Sequence, residues 1–446
     1  SSPEKGLRRG YHAKLSPSGS TALDPPNQSG VPFWRFDLMK ALTAALNIKR
    51  EAWDRVKSTI LRRSGLTTGI TFRLGETPEP ELVSPQWVKV RSIMSGISNM
   101  DEGMIVYHDL SSFGPFLELP FVPGNENVGI VVETGRSVQP IDLGQRVVVD
   151  PLLACTQRQV DPPCPSCSRG EPHCCRSFNR GVVGPGIMIG ACPDTGGGWG
   201  DVFIAHHSQI HPLSDTMETE TAVLLPELAH AVRTVLHNPP VSGDRVIVMG
   251  CSSLGLLTVM VLEILRYDVN VMIVAEHPFE VALARKLTRS SVTLADTSGA
   301  VYEDVAEFVG GSVSYPRVGT ITLHGGADVV YETSGAAHFV EKGLRFAGEG
   351  KRFVLSALKQ TQTLDIGPIW HKAVKILGPG WSNSVFFDGD KVNAFDAAAT
   401  LMERHPFPID DLVSHRFPLD QYQQAFATLG DRAAQRAVKV IFHHVV

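Results

Sequence analysis

The 446-residue chain lacks the features that mark membrane, nucleic-acid-binding or repetitive proteins. Its most apolar windows are interrupted by Gly255, Glu263 and Arg266, so none of them predicts a bilayer span. Lysine and arginine number 41 against 46 acidic residues, a formal charge of −5, and no sustained basic run occurs. We therefore expect a small-molecule substrate and no nucleic-acid or membrane partner. With 43% hydrophobic residues, the chain is long enough for two or three globular domains.

Cysteine is scarce and unevenly placed. Five of the seven cysteines fall between Cys155 and Cys175, and the total is odd. Clustering of this kind favours a metal site over a disulfide framework. A reduced, metal-free thiol cluster is the alternative, and disulfides are the least favoured of the three arrangements.

The first part of the chain predicts an arm followed by helices. Residues 7–30 are rich in Ser, Pro and Gly and poor in acids, which indicates a disordered arm, with a transit-peptide remnant as the alternative. Asp37 can cap a first helix, and a second helix should follow it. Their apolar faces are Leu38, Ala41, Leu42 and Ala45, and Trp53, Val56 and Ile60. We predict an arm and helical extension over residues 1–65 of a cytoplasmic protein.

From residue 66 the pattern changes to short strands separated by Gly and Pro, which predicts a small β-barrel. The tail, 414–442, predicts a helix and a last strand that returns to this barrel. We assign 66–213 and 388–446 to the barrel domain, and 214–387 to a second domain. The first barrel strands are expected at 70–76, 86–98, 127–135 and 145–153.

The second domain is organised around 247–266, an apolar strand that runs into a tight turn and then an apolar helix. Such a turn aims a helix N-terminus at a pyrophosphate. Gly250 and Gly255 match two glycines of the G-x-G-x-x-G fingerprint, whereas Ser252 replaces the middle one. A second strand ends in Glu276, an acid placed to bind adenine-ribose hydroxyls, which favours NAD over NADP. The expected cofactor-binding residues are Gly250, Ser252, Ser253, Leu254, Gly255, Glu276, Ser334 and Ser356.

Two phrases of the barrel region carry a resemblance to the zinc-type medium-chain dehydrogenase/reductase superfamily. 96-GISNMD-101 is similar to the family's G-I-C-G-S-D, and 123-PGNENVG-129 is similar to its P-G-H-E-x-x-G. The likeness covers about residues 66–446. It implies an α/β fold with a GroES-like β-barrel catalytic domain and a Rossmann doubly wound parallel sheet, here with the N-terminal helical extension. It also implies a homodimer joined through the edges of the Rossmann sheets.

The same likeness shows where the chain departs from the family. A cysteine, a histidine and a glutamate hold the family's catalytic zinc, and here Ser98, Asn125 and Pro226 stand in those places. Hydroxyl and amide groups are poor zinc ligands, and proline offers none. Glu126 and Glu227 could hold a hard cation with waters, but we expect no catalytic zinc.

A structural zinc is expected from the resemblance, because family members often carry four cysteines spaced C-x2-C-x2-C-x7-C. Cys164, Cys167 and Cys175 keep the last three positions, and Cys155 precedes them by nine residues. The extra residues after the first ligand would bulge out without disturbing a tetrahedral site. Asp161 is the competing fourth ligand.

Without a catalytic metal, hydride transfer suits an activated double bond better than a plain alcohol. His230, four residues after Pro226 on one helix face, is predicted as general acid or base; a core histidine bonded to a backbone carbonyl is the alternative. Ser98 and Asn125 are predicted to donate hydrogen bonds to a substrate oxygen. The predicted function is NAD(P)H-dependent reduction of an activated C=C, C=N or C=O group. The alternative is a non-redox descendant of the family that reuses the same cleft, either a cyclase, isomerase or lyase, or a pseudoenzyme.

Overall fold

The structure is a computed structural model that describes residues 37–46, 69–108, 116–138, 140–295, 299–360, 363–380 and 382–444. Within these ranges no helix is both long and apolar enough to cross a membrane. The strands are β1 (Leu38–Leu46), β2 (Ile70–Pro78), β3 (Trp87–Gly96), β4 (Glu126–Thr134), β5 (Arg146–Val149), β6 (Val202–His206), β7 (Ile210–Pro212), β8 (Arg245–Met249), β9 (Asn270–Ala275), β10 (Ser291–Leu294), β11 (Ser312–Ser314), β12 (Thr322–His324), β13 (Ala327–Glu332), β14 (Ala347–Leu355), β15 (Lys375–Leu377), β16 (Ser384–Phe387), β17 (Asp390–Asn393), β18 (Val413–Pro418) and β19 (Lys439–His443). The helices are α1 (Asn99–Val106), α2 (Pro165–Ser168), α3 (Thr219–Ala222), α4 (Leu225–His237), α5 (Ser253–Ile264), α6 (Pro278–Leu287), α7 (Ala300–Val309), α8 (Ala337–Phe346), α9 (Gly367–Lys372), α10 (Ala394–Arg404), α11 (Ile409–Leu412), α12 (Tyr422–Gly430) and α13 (Arg432–Gln435).

Six parallel strands form one sheet in the order β10, β9, β8, β13, β14, β15. The order reverses beside β8, as it does in doubly wound nucleotide-binding sheets. Hydrophobic cores cover both faces, which is why β8 is a continuous apolar run. Helix α5 is buried along most of its length because it packs against both the sheet and α4. The predicted Rossmann domain is confirmed.

A second sheet has the order β18, β19, β3, β4, β5, β7, and β6 also pairs with β3. Its core includes the fully buried side chains of Trp87, Val147 and Phe203. β19 lies antiparallel to β3 and parallel to β18, so the tail of the chain returns to this sheet as predicted. The domain limits at residues 213 and 387 stay predictions.

The helix predicted to begin at Asp37 is wrong, because Leu38–Leu46 form strand β1. β1 pairs antiparallel with β2 along its whole length. Its other edge is bonded as well, since the N–H of Leu42 donates to the carbonyl of Trp199 at 2.8 Å. These long-range hydrogen bonds override the helix propensity of the Ala- and Leu-rich segment. The apolar face of the second predicted helix lies outside the described residues; it consists of Trp53, Val56 and Ile60.

At Gly255, helix α5 packs against the turn that precedes it without room for a side chain. A methyl group added at this position would lie 2.2 Å from the carbonyl oxygen of Gly250 and 2.9 Å from Oγ1 of Thr333. We expect Gly255→Ala to lower the free energy of unfolding by about 1–3 kcal/mol, because α5 must move off the sheet. Urea denaturation measures this, with Gly75→Ala as a control whose added methyl group meets open space. Equal losses in the two variants would contradict the prediction.

Candidate functional site

The predicted dinucleotide turn follows β8 at the carboxyl edge of the Rossmann sheet. Gly250 has a φ of 99°, in the left-handed region that favours glycine. Ser252 has a φ of −71° and a ψ of 178°, so the missing middle glycine causes no backbone strain. α5 begins directly after Ser252, whose Oγ is buried and has no hydrogen-bond partner among the described residues. A helix N-terminus beside an unpaired hydroxyl is well suited to a pyrophosphate.

A cavity of about 240 Å³, the cofactor cavity, opens beside this turn. Four of the predicted cofactor-binding residues line it: Gly250, Ser252, Glu276 and Ser334. Oε1 of Glu276 lies 3.0 Å from Nε2 of His338. This contact lowers the pKa of the Glu276 carboxyl. The carboxylate is therefore ionised at neutral pH, the state in which both of its oxygens accept hydrogen bonds.

Three charged residues of the cofactor cavity, Glu102, Lys359 and Arg432, belong to no sequence motif. Nζ of Lys359 lies 2.9 Å from Oε1 of Glu102, and Nη1 of Arg432 lies 3.1 Å from its Oε2. Burial alone would raise the pKa of Glu102, but the two cations lower it to about 2. The partners are 257 and 330 residues from Glu102 in sequence, so no local pattern could have indicated the contact.

A larger cavity of about 600 Å³, the inner cavity, is lined by the predicted catalytic residues Ser98, Asn125 and His230, and by Pro226. The fold therefore brings together the three positions at which the resemblance places zinc ligands. Two predicted cofactor-binding residues, Leu254 and Ser356, also line this cavity rather than the first one.

Ser98 is the N-cap of α1. Its Oγ donates to Oδ2 of Asp101 at 2.8 Å, and it accepts from the N–H of Asp101 and from Nδ2 of Asn125, both at 3.2 Å. The single hydroxyl proton is thus committed to a buried carboxylate. Asn125 has a second amide hydrogen, so of the two predicted donors it is the one with a proton to offer a substrate.

Lys439 lies between Glu126 and Glu227, each the direct sequence neighbour of a position at which the resemblance places a zinc ligand. Its Nζ lies 2.5 Å from Oε2 of Glu126 and 3.1 Å from Oε2 of Glu227. Burial alone would lower the pKa of Lys439, but the two carboxylates raise it above its usual value. The predicted cofactor-binding residue Ser253 is buried and donates to Oε1 of Glu227 at 2.9 Å. Both carboxylates therefore already have a cationic partner.

Both ring nitrogens of His230 are hydrogen-bonded. Nη2 of Arg233 donates to its Nδ1 at 2.7 Å, so its proton lies on Nε2, which donates to the carbonyl of Ser356 at 2.8 Å. Burial and the charge of Arg233 lower the pKa of His230 to about 3, although the Ser356 carbonyl opposes them. These contacts match the alternative of a core histidine bonded to a backbone carbonyl. The role of His230 as a general acid or base stays a prediction, and its contacts do not support that role.

The four predicted zinc ligands form one cluster. The Sγ atoms of Cys155, Cys164, Cys167 and Cys175 lie within 4.8 Å of one another, and those of Cys155 and Cys175 are 3.7 Å apart. A Zn–S bond of about 2.3 Å places the sulfurs of a tetrahedral site roughly 3.8 Å apart. Backbone N–H groups donate to three of these sulfurs at 3.3 Å. Asp161, the competing ligand, is not in the cluster. Among the described residues, this cluster is the only group of three or more His, Cys, Asp or Glu side chains placed to hold a metal ion.

Comparisons with known proteins agree with this architecture. Residues 84–215 match the alcohol dehydrogenase GroES-like domain. The 2-dehydro-3-deoxy-L-galactonate 5-dehydrogenase of Pseudoalteromonas atlantica is 24% identical over 352 residues, which cover 79% of this chain and 91% of that protein. The L-threonine 3-dehydrogenase of Bacillus subtilis is 24% identical over 313 residues, 70% of this chain and 79% of that protein. A solved Escherichia coli structure, described as a short chain alcohol dehydrogenase complexed with NADH, has a TM-score of 0.66 at 16% identity, with 91% of this chain and 99% of that one covered.

The cysteine cluster predicts about one zinc per chain by elemental analysis of the purified protein. Cys164→Ser should lose the metal and unfold at a lower temperature, because a structural site contributes its binding energy to folding. Cys174→Ser is the control and should keep the metal, since Cys174 is exposed and outside the cluster. Two tightly bound zinc ions per chain would contradict the expectation that the catalytic position holds none.

The pKa of His230 predicts a loss of stability in acid. The folded protein lowers this pKa from 6.5 to about 3, so the unfolded chain binds the proton first. The stabilising contribution is therefore complete above about pH 6.5 and is lost as the pH falls towards 3. Between pH 7.5 and pH 5 we expect a loss of about 2 kcal/mol that His230→Gln does not show.

Urea denaturation at the two pH values measures this difference. His371→Gln, at an exposed histidine, is the control and should keep the wild-type pH dependence. If His230→Gln and the wild type lose stability in parallel, the pKa of His230 is not depressed.

Proposed function

Because this chain belongs to the zinc-type medium-chain dehydrogenase/reductase superfamily, an oxidoreductase family, we propose that it transfers hydride between a nicotinamide cofactor and a small molecule without a catalytic zinc. The observation that carries the proposal is the chemistry of the inner cavity. Ser98, Asn125 and Pro226 offer neither thiolate nor imidazole, and Lys439 already pairs with the two neighbouring carboxylates.

The missing metal limits the reaction. A zinc ion supplies several kcal/mol of stabilisation to an alkoxide, and a site without it must rely on hydrogen-bond donors. An activated C=C, C=N or C=O group needs less help, because its own electron-poor atom accepts hydride from the cofactor and a proton follows from solvent. Asn125 is the donor we propose for the oxygen or nitrogen on which charge develops.

The cofactor is proposed to be NAD(H) rather than NADP(H). The Ser252 hydroxyl and the start of α5 would hold the pyrophosphate, and Glu276 would accept hydrogen bonds from the adenine-ribose hydroxyls. An ionised Glu276 repels the 2′-phosphate that distinguishes NADPH from NADH. The same carboxylate therefore supports both the binding of one cofactor and the rejection of the other.

Fluorescence titration of the purified protein with NADH and NADPH tests this proposal. We expect NADH to bind at least about tenfold more tightly than NADPH, and Glu276→Gln to reduce that ratio several-fold because the repulsive charge is gone. Glu81→Gln, at an exposed glutamate, is the matched control and should leave the ratio unchanged. If neither nucleotide binds at millimolar concentration, the reductase proposal is refuted and the non-redox alternative is favoured.

A further inference from the structure

Arg233 places a guanidinium group in the wall of the inner cavity. It lies on α4, three residues after His230. Its Nη1 donates to Nε2 of His173 at 2.8 Å and to Oδ1 of Asn383 at 3.0 Å, and its Nη2 donates to Nδ1 of His230 at 2.7 Å. Burial and the charge of Arg233 lower the pKa of His173, as they lower that of His230. All three acceptors are therefore neutral groups.

The charge of Arg233 has no adjacent counter-ion in the described part of the chain. No carboxylate oxygen of those residues lies within 4.0 Å of the guanidinium. Its Nε is buried and has no hydrogen-bond partner there. Burial lowers the pKa of Arg233 to about 10, with Asp150 opposing, so the group is still protonated at neutral pH. A buried cation of this kind is costly unless a ligand pairs with it.

The acidic residues that line the inner cavity have other partners. Asn383 separates Asp150 from Arg233: its Nδ2 donates to Oδ2 of Asp150, and its Oδ1 accepts from the guanidinium. Oδ1 of Asp150 accepts from the N–H of Leu152 at 3.1 Å. The remaining acids of the lining, Glu126 and Glu227, pair with Lys439.

We propose that Arg233 binds an oxoanion of the substrate, a carboxylate or a phosphate, within the inner cavity. The inference rests on the proposed function, to which it adds a substrate class: an anionic compound that carries the activated double bond. A guanidinium pairs with an oxoanion through parallel N–H bonds. Nε–H and one hydrogen of Nη2 are the guanidinium donors that these three protein acceptors leave unused, and Nη2 carries the one we propose for the ligand.

His173 and His230 act here as positioning residues. Both accept N–H groups of the guanidinium and so fix its orientation in the wall of the inner cavity. The rest of the lining includes the apolar side chains of Leu254, Ile376 and Phe395. A cavity of about 600 Å³ with one cationic anchor and apolar walls fits an anion with a hydrophobic body.

The test compares benzoate and phenyl phosphate with neutral benzamide, using calorimetric titration of the full-length protein with and without NADH. We expect one or both anions to bind at least about tenfold more tightly than benzamide. The better anion identifies the oxoanion as carboxylate or phosphate. Arg233→Met should remove the preference, and Arg233→Lys should reduce it several-fold by replacing the planar donors with a point charge. Arg285→Met, at an exposed arginine of α6, should preserve it.

Equal affinity of the wild type for benzamide and both anions, or no binding of any probe, would overturn the inference. An anion preference that survives in Arg233→Met would also overturn it. If Arg233→Met does not fold, an unchanged preference in Arg233→Lys would overturn it instead. The two proposals fail separately. If NADH binds but the anions show no preference, only the oxoanion site is refuted; if the anions bind through Arg233 while NADH does not, only the reductase is.

Discussion

A single buried ammonium group joins three separate parts of the fold. Lys439 reaches from the last strand, β19, to Glu126 at the start of β4 and to Glu227 in the first turn of α4. Removing one partner of such a buried set leaves uncompensated charge, which typically costs about 3–5 kcal/mol. The contact joins the returning tail, the barrel sheet and the helix beside the Rossmann sheet. It also pairs with the two carboxylates, Glu126 and Glu227, that the sequence offers as ligands for a hard cation.

Ser98, at a position where the resemblance places a zinc ligand, has a structural role that its residue type alone does not suggest. A hydroxyl at this position starts α1, because it accepts the Asp101 N–H while the Asp101 side chain accepts the backbone N–H of Ser98. The Ser98 side chain thus stabilises the start of α1. Asn125 and Arg233 also line the inner cavity, and each keeps an N–H group that no acceptor among the described residues uses.

The features that could be predicted from the sequence are those with local signals. The strand, turn and helix around Gly250 follow one another in sequence, and the cysteine spacing within 164–175 is short. The helix predicted at Asp37 failed because β1 is formed by hydrogen bonds to distant residues. The contacts of Lys439 and Arg233 could not be predicted for the same reason: they join residues that only the tertiary fold brings together. The homodimer stays a prediction.

One short segment links the two cavities. At its start, Ser356 accepts from His230 and lies in the wall of the inner cavity; at its end, Lys359 pairs with Glu102 in the wall of the cofactor cavity. The residues between them are few, so the backbone position set by one contact constrains the other. Arg233 donates to His230, which donates to Ser356. Arg233 is therefore connected by hydrogen bonds to the segment that ends at Lys359 in the wall of the cofactor cavity. A ligand bound to Arg233 would therefore contact a chain of hydrogen bonds that ends three residues before Lys359, beside the proposed nucleotide site.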